Sequence, residues 1–252
     1  MIELNAIEYN LNDLKMKIIT LGKEDHHDCL IIRNALNKYN IDEWSQFLTN
    51  ICKLSRDTRH YQIDSTLVSA DWWEISYDPL NSHTYAHSNT SQPFHTDNAW
   101  FQNPSPINFF IMKKQAITGG EQFIIPLDDL IDNLKLNNPE LLNKLTSINV
   151  DIQKGTTDYK YRGPIINLEK KLIHWNYYRT NKENKTINNM CDEFFNYLKS
   201  SHVLDIIQTI KLNTGDALCL ADVKLLHARN SYEANNKGDR VLLQSMWKLN
   251  AN

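Results

Sequence analysis

Residues 92 to 100 read QPFHTDNAW, which sets His95 and Asp97 two positions apart. An imidazole and a carboxylate are both metal-ligand types, and in an extended strand residues i and i+2 point to the same side. His95 and Asp97 can therefore aim at one point while Thr96 faces away. Two ligands do not hold a metal, so the tripeptide acquires chemical meaning only with a third donor. The stretch LCLADVKLLHARN supplies one, His227, at the end of a run of alternating apolar residues. Other donor-rich stretches are weaker. Asp25-His26-His27-Asp28 reads as a solvated charged cluster near a loop, and His83 and His87 in HTYAH lack the glutamate of a zinc protease motif. Both are expected to be bystanders.

After His227 comes the polar stretch NSYEANNKG and then RVLLQSMWKL, another strand pattern. If that loop closes an antiparallel hairpin, its centre lies near residue 234 and Arg240 stands opposite or nearly opposite His227. Directly paired residues have Cβ atoms about 5 Å apart, so a guanidinium would sit beside the third ligand. Two histidines and one carboxylate on one face of an iron leave coordination positions open, the arrangement of non-haem Fe(II) oxygenases. Fe(II) with one aspartate keeps a single positive charge. The dianion 2-oxoglutarate would overshoot it, and Arg240 would restore neutrality. A zinc hydrolase on the same triad has no comparable use for that arginine. Arg229 is the competing cation; the hairpin count favours Arg240.

The order His95-x-Asp97, Gly119-Gly120, His227-x-Arg229 and Arg240 resembles the taurine dioxygenase-type Fe(II)/2-oxoglutarate oxygenases, with their clavaminate synthase-like relatives, over residues 72 to 247. The resemblance implies a mainly β fold with flanking helices, a double-stranded β-helix or jelly-roll barrel. It implies that His95, Asp97 and His227 are the catalytic iron ligands and that Arg240 binds the distal carboxylate of 2-oxoglutarate. O₂ is then the other cosubstrate, and succinate and CO₂ are released as a C–H bond is hydroxylated. The segment TGGEQF, residues 118 to 123, is similar to the family's Gly-Gly-acid-Thr element and puts Gln122 where a threonine helps hold 2-oxoglutarate. Members that oxidise sulfonates and aryloxyacetates carry a second arginine four residues after the first; this chain has Gln244 there. Those substrates fit poorly. Asp97 itself argues against a halogenase, in which a glycine or alanine replaces the carboxylate.

These residues need elements to position them. Trp44, Phe47, Leu48, Ile51 and Leu54 follow helical spacing and predict a helix over 42 to 54. From 63 to 127 the pattern turns to short β-rich runs, WWEISYD, PINFFIMKK and EQFIIP. Helices are expected in DDLIDNL, in PELLNKL and over 191 to 200, and a last block of strands in IIQTIKL, DALCLADVKLLHA and RVLLQSMWKL. The segment 151 to 189 is polar, aromatic and irregular, with the position of a lid. Trp72, Trp73 and Phe101 read as core. Gly119-Gly120 reads as a turn between strands, and the chain has no G-x-G-x-x-G, G-x-x-x-x-G-K or G-x-S-x-G, which argues against a dinucleotide fold, a P-loop or a hydrolase elbow.

With 252 residues and 41% hydrophobic content, residues 1 to 252 are expected to form a single domain. A formal net charge of -3, with charges interspersed, argues against nucleic acid as a partner. Cys29, Cys52, Cys191 and Cys219 are widely separated and read as free thiols. No membrane-length apolar run or signal pattern is present, so the chain is expected to be cytoplasmic. The expected substrate is a small polar metabolite, a free amino acid or a derivative of one. Asn98, Arg162, Arg179 and Gln244 are its expected polar contacts and Trp100 a wall. The alternatives are a non-catalytic metal- or metabolite-binding sensor on the same barrel and a desaturase using the same site.

Overall fold

The computed structural model describes residues 1–23, 29–61, 67–154 and 159–250. The Asp25-His26-His27-Asp28 cluster lies outside the described residues. Two sheets dominate. The larger runs in the order Ile2–Asn5, Cys29–Arg33, Ala217–Leu220, Ile107–Lys114, Val241–Leu249 and Leu54–Asp57, with Trp73–Ser76 also paired to Val241–Leu249. The smaller runs Gln208–Ile210, Gln122–Pro126, Leu225–Arg229 and Gln92–His95, antiparallel throughout.

Period-two alternation distributes these strands among three cores. In Ala217–Leu220, Ala217 and Cys219 join the cluster under the amino-terminal helices, whereas Leu218 and Leu220 face the space between the sheets. Phe110 and Met112 of the larger sheet meet Ile124, Ile210 and Leu225 of the smaller one in that space. The outer face of the larger sheet packs Phe109, Ile111 and Trp247 on Leu14, Ile18, Trp44 and Phe47. On the other side Ile125 and Leu226 pack on the helices Leu127–Asn137, Pro139–Ser147 and Lys185–Tyr197. Each such side chain contributes about 1.5–3 kcal/mol through burial. The result is helix, sheet, sheet, helix, with a polar patch left at one end of the inner faces.

Several expectations need correction. The helix over 42 to 54 is shorter: Ile41–Gln46, opened by an Asn40/Glu43 capping box, passes into a π turn at Phe47–Ile51. The wider turn shifts the phase, so Ile51 is 40% exposed and Leu54 begins a strand. The helix expected at 191 starts at Lys185, because Asn184 caps it by accepting from the amides of Thr186 and Ile187. The stretch DALCLADVKLLHA is not continuous: a single 3-10 turn at Asp222–Lys224 carries the chain from one sheet to the other. The segment 151 to 189 is more regular than its composition suggests, with Asn149–Gln153 paired to Lys160–Pro164 and Ile166–Asn167 to Leu172–Ile173.

The hairpin between His227 and Arg240 does not form. Leu225–Arg229 pairs with Gln122–Pro126 and Gln92–His95, while Val241–Leu249 pairs with three strands of the other sheet. Within the smaller sheet His227 stands directly opposite His95.

Candidate active site

The cross-strand pairing of His95 and His227 brings their ring centroids to 4.3 Å. Asp97 follows the end of its strand, and its two oxygens reach both rings: Oδ1 is 3.4 Å from His95 Nε2 and Oδ2 is 3.4 Å from His227 Nε2. Thr96 faces away as expected, its hydroxyl accepting from the Trp175 amide. Ligand atoms of the three residues all lie within 4.8 Å of one another, the only such group among the described residues. The Nδ1 of His95 is engaged by the Pro93 carbonyl at 2.9 Å, which fixes the tautomer that presents Nε2 to the cluster. The Nε2 of His227 is buried with no well-aligned hydrogen bond, its nearest polar atoms being carboxylate oxygens of Asp222 at 3.2 Å and Asp97 at 3.4 Å.

Four residues bond to this cluster. The amides of Gln244 and Asn108 both donate to Asp97 Oδ2, at 2.6 and 2.7 Å, and Gln244 also donates to Asn108 Oδ1. Gln92 bonds His95 Nε2 at 2.9 Å. Asp222, fully buried, accepts from the Asp97 amide and lies 3.2 Å from His227 Nε2. Burial disfavours the Asp97 carboxylate, but His227 and His95 outweigh it and hold the group well below the usual range. Burial likewise works against a charged His227; Asp97 and Asp222 overcome it and raise the ring to about 10. Burial raises Asp222.

Arg240 reaches the same inner surface from the opposite sheet. Its side chain is fully buried, with Nε donating to Gln115 Oε1 at 3.3 Å and the guanidinium 5.1 Å from the Tyr232 ring centroid. With its amide oriented to satisfy both ends, Gln122 donates to the Ala228 carbonyl and accepts from Arg240 Nη2 at 3.2 Å. Gln122 lies two residues before Ile124, the partner of His227. Gly120 makes room for the arginine: at φ +74, a Cβ there would meet Arg240 Nε at 3.1 Å. Burial, then Arg229, pushes Arg240 down to about 10, which leaves it charged at neutral pH. Its Nη1 is buried without a hydrogen-bond partner. Arg229 is occupied otherwise, donating to the carbonyls of Tyr85, Ser88 and Thr90.

A cavity of about 550 Å³ opens over the cluster and includes His95 and Asp97 in its lining. Of the expected substrate contacts, Asn98, Trp100, Arg179 and Gln244 line it. Arg162 does not: its side chain is 76% exposed and approaches Asp151 at 3.8 Å. His83 and His87 are no part of the ligand cluster, yet both line the cavity, and so does Trp73, which was expected in the core. Sequence reasoning missed Asn108, Asp222 and Lys154. A polar residue inside an apolar run, as in INFFIM and LCLADVKLL, was the available signal for the first two.

Residues 25–247 match the model of the taurine catabolism dioxygenase TauD, TfdA family. The chain belongs to this family. It is 28% identical over 188 residues to gamma-butyrobetaine dioxygenase from Homo sapiens, and equally to that from Pongo abelii, a match covering 68% of this chain. The chain spans 47% of the length of these relatives. Among solved structures it is similar to asparagine oxygenase in complex with Fe(II), (2S,3S)-3-hydroxyasparagine and succinate, with a TM-score of 0.71 at 11% identity, covering 94% of this chain and 79% of the other. It is also similar to the non-haem iron oxygenase OrfP in complex with Fe and alpha-ketoglutaric acid, with a TM-score of 0.66 at 12% identity, covering 94% and 80%. The mainly β fold with flanking helices is the one these structures share. Among the described residues, no helix is long and apolar enough to cross a membrane.

Proposed function

We propose that the protein is an Fe(II)- and 2-oxoglutarate-dependent dioxygenase that hydroxylates a C–H bond of a small polar metabolite, an amino acid or a derivative of one. The observation that carries this reading is the pairing of the His95, Asp97 and His227 cluster with a buried Arg240 that has no carboxylate partner among the described residues. An uncompensated buried charge costs on the order of 3–5 kcal/mol. A dicarboxylate whose far end meets Arg240 removes that cost, and a metal among His95, Asp97 and His227 would take the place of the proton that Asp97 and Asp222 favour on His227 Nε2. The residues present therefore fit both groups. His95, Asp97 and His227 hold Fe(II), and Arg240 with Gln122 holds the distal carboxylate of 2-oxoglutarate. Iron with 2-oxoglutarate and O₂ supplies the oxidant for the C–H bond, with succinate and CO₂ as coproducts.

The chain's own residues do the rest. Gln244 and Asn108 orient the Asp97 carboxylate, and the Pro93 carbonyl orients His95. Asn98, Trp100 and Arg179 border the space where substrate binds, and residues 151 to 189 act as its lid. An asparagine oxygenase and a gamma-butyrobetaine dioxygenase among the similar proteins support a substrate of amino-acid type. We read residues 1 to 252 as one domain, a double-stranded β-helix, and the four buried free thiols as suited to the cytoplasm.

The test is succinate formation from 2-oxoglutarate by Fe(II)-loaded protein across a panel of amino acids and related metabolites. Stimulation by one of them, with a product heavier by one oxygen atom, is the expected result. Iron-loaded protein with no turnover, even uncoupled, would instead make it a sensor.

A further inference from the structure

One tyrosine ring meets two buried arginines. The guanidinium carbons of Arg229 and Arg240 both lie over the Tyr232 ring, each 5.1 Å from its centroid, and all three residues are at most 5% exposed. The glycine doublet lets the ring in: Tyr232 is bridged antiparallel to Gly119, Gly120 N donates to Ser231 O at 3.0 Å, and Glu233 N donates to Thr118 O at 3.1 Å. Gly119, at φ +78, permits this approach, since a Cβ there would lie 2.8 Å from Tyr232 Cα. The Tyr232 hydroxyl makes another contact. It donates to Ser88 O at 3.0 Å, a carbonyl that also accepts from Arg229, and Tyr232 N donates to Asn89 O at 3.0 Å. Ser88 and Asn89 directly follow His83 to His87, five consecutive residues that all line the cavity over the metal cluster.

Resting on the dioxygenase reading, we infer that Tyr232 is a positioning residue with two separable parts: its ring holds the Arg240 guanidinium where the far carboxylate of 2-oxoglutarate meets it, and its hydroxyl holds the substrate wall formed by residues 83 to 87. A ring face attracts a guanidinium most strongly where both are out of water, as here. It does so without using an N–H, and the Arg240 Nη1, which has no hydrogen-bond partner, is left to donate to the carboxylate. Burial works against the Arg240 charge and Arg229 repels it, whereas Tyr232 favours it. Gln115 and Gln122 offer Arg240 only neutral oxygens. The same tyrosine thereby ties the cosubstrate end of the site to the substrate end.

The experiment measures 2-oxoglutarate binding to Fe(II)-loaded protein by equilibrium dialysis without O₂. Tyr232→Leu should weaken binding about 10- to 30-fold and Tyr232→Phe about 3-fold or less, the factors expected for losing and for keeping a buried cation–π contact. A ring-trifluorinated phenylalanine placed at position 232 keeps the size of the ring and withdraws electrons from its face. It should bind 2-oxoglutarate about 3- to 10-fold more weakly than Tyr232→Phe, a difference that a merely space-filling ring would not produce. Hydrogen exchange reads the hydroxyl. The amides of Asp78 and His87, which donate to the His87 and Thr84 carbonyls at 3.0 and 3.1 Å, should exchange about 5-fold faster in Tyr232→Phe, the factor for one hydrogen bond. Equal affinity of the phenylalanine and fluorinated proteins for 2-oxoglutarate overturns the role of the ring, and unchanged exchange at both amides overturns that of the hydroxyl; in either case the dioxygenase reading stands. Unmodified Fe(II)-loaded protein that binds no 2-oxoglutarate overturns that reading and this inference with it.

Discussion

The Gln244 amide donates to Asp97 Oδ2 across 2.6 Å, a bond from the larger sheet to the carboxylate at the end of the smaller one. With Asn108 on the same oxygen, both lone pairs of Oδ2 are engaged and Asp97 is left with Oδ1 to offer. Outer partners of this kind typically contribute about 10- to 100-fold in metal affinity. Gln244→Leu should weaken Fe(II) binding by about that factor with little loss of stability. Competition against a chromogenic chelator measures it, and an unchanged affinity would show that the bond does not orient the ligand.

Arg240→Ala should raise the 2-oxoglutarate requirement about 100-fold or more, because the distal carboxylate would be left buried and unpaired. Iron affinity should barely change. Arg240→Lys should restore the charge without the two-pronged geometry and recover part of the loss. Titrating 2-oxoglutarate in the uncoupled assay separates these outcomes; a normal requirement in Arg240→Ala would remove the arginine from the cosubstrate site.

Arg229 serves as the control, since its guanidinium donates to three carbonyls of the 85–90 loop at 2.8 to 3.2 Å. Arg229→Ala orphans those acceptors and should cost at least about 3 kcal/mol in urea unfolding. Its 2-oxoglutarate requirement should rise far less than that of Arg240→Ala. The reverse ranking would exchange the roles of the two arginines.

The chemistry of the centre is legible in residue types and short spacings alone. His95, Asp97 and His227 are metal-ligand types that do meet in one cluster, and the spacing of i and i+2 residues aims His95 and Asp97 together because strand geometry is local. The thiols, the strands PINFFIMKK and EQFIIP and the helices after Asp128 were legible for the same reason, composition and periodicity over a few residues. Pairing was not legible. An alternating apolar strand carries no label for its neighbour, and a short loop such as residues 230–240 suggests a hairpin whether or not one forms. Strand pairing within the smaller sheet put His227 opposite His95, and packing of the two sheets brought Arg240 in from the other side, beside Gly120 and Gln122. It also set Gln244, which lines the cavity, against Asp97 as a support, and buried Asp222 beside His227. Each of these joins residues far apart in the chain, where the closing of the two sheets, and not local preference, decides which side chains meet.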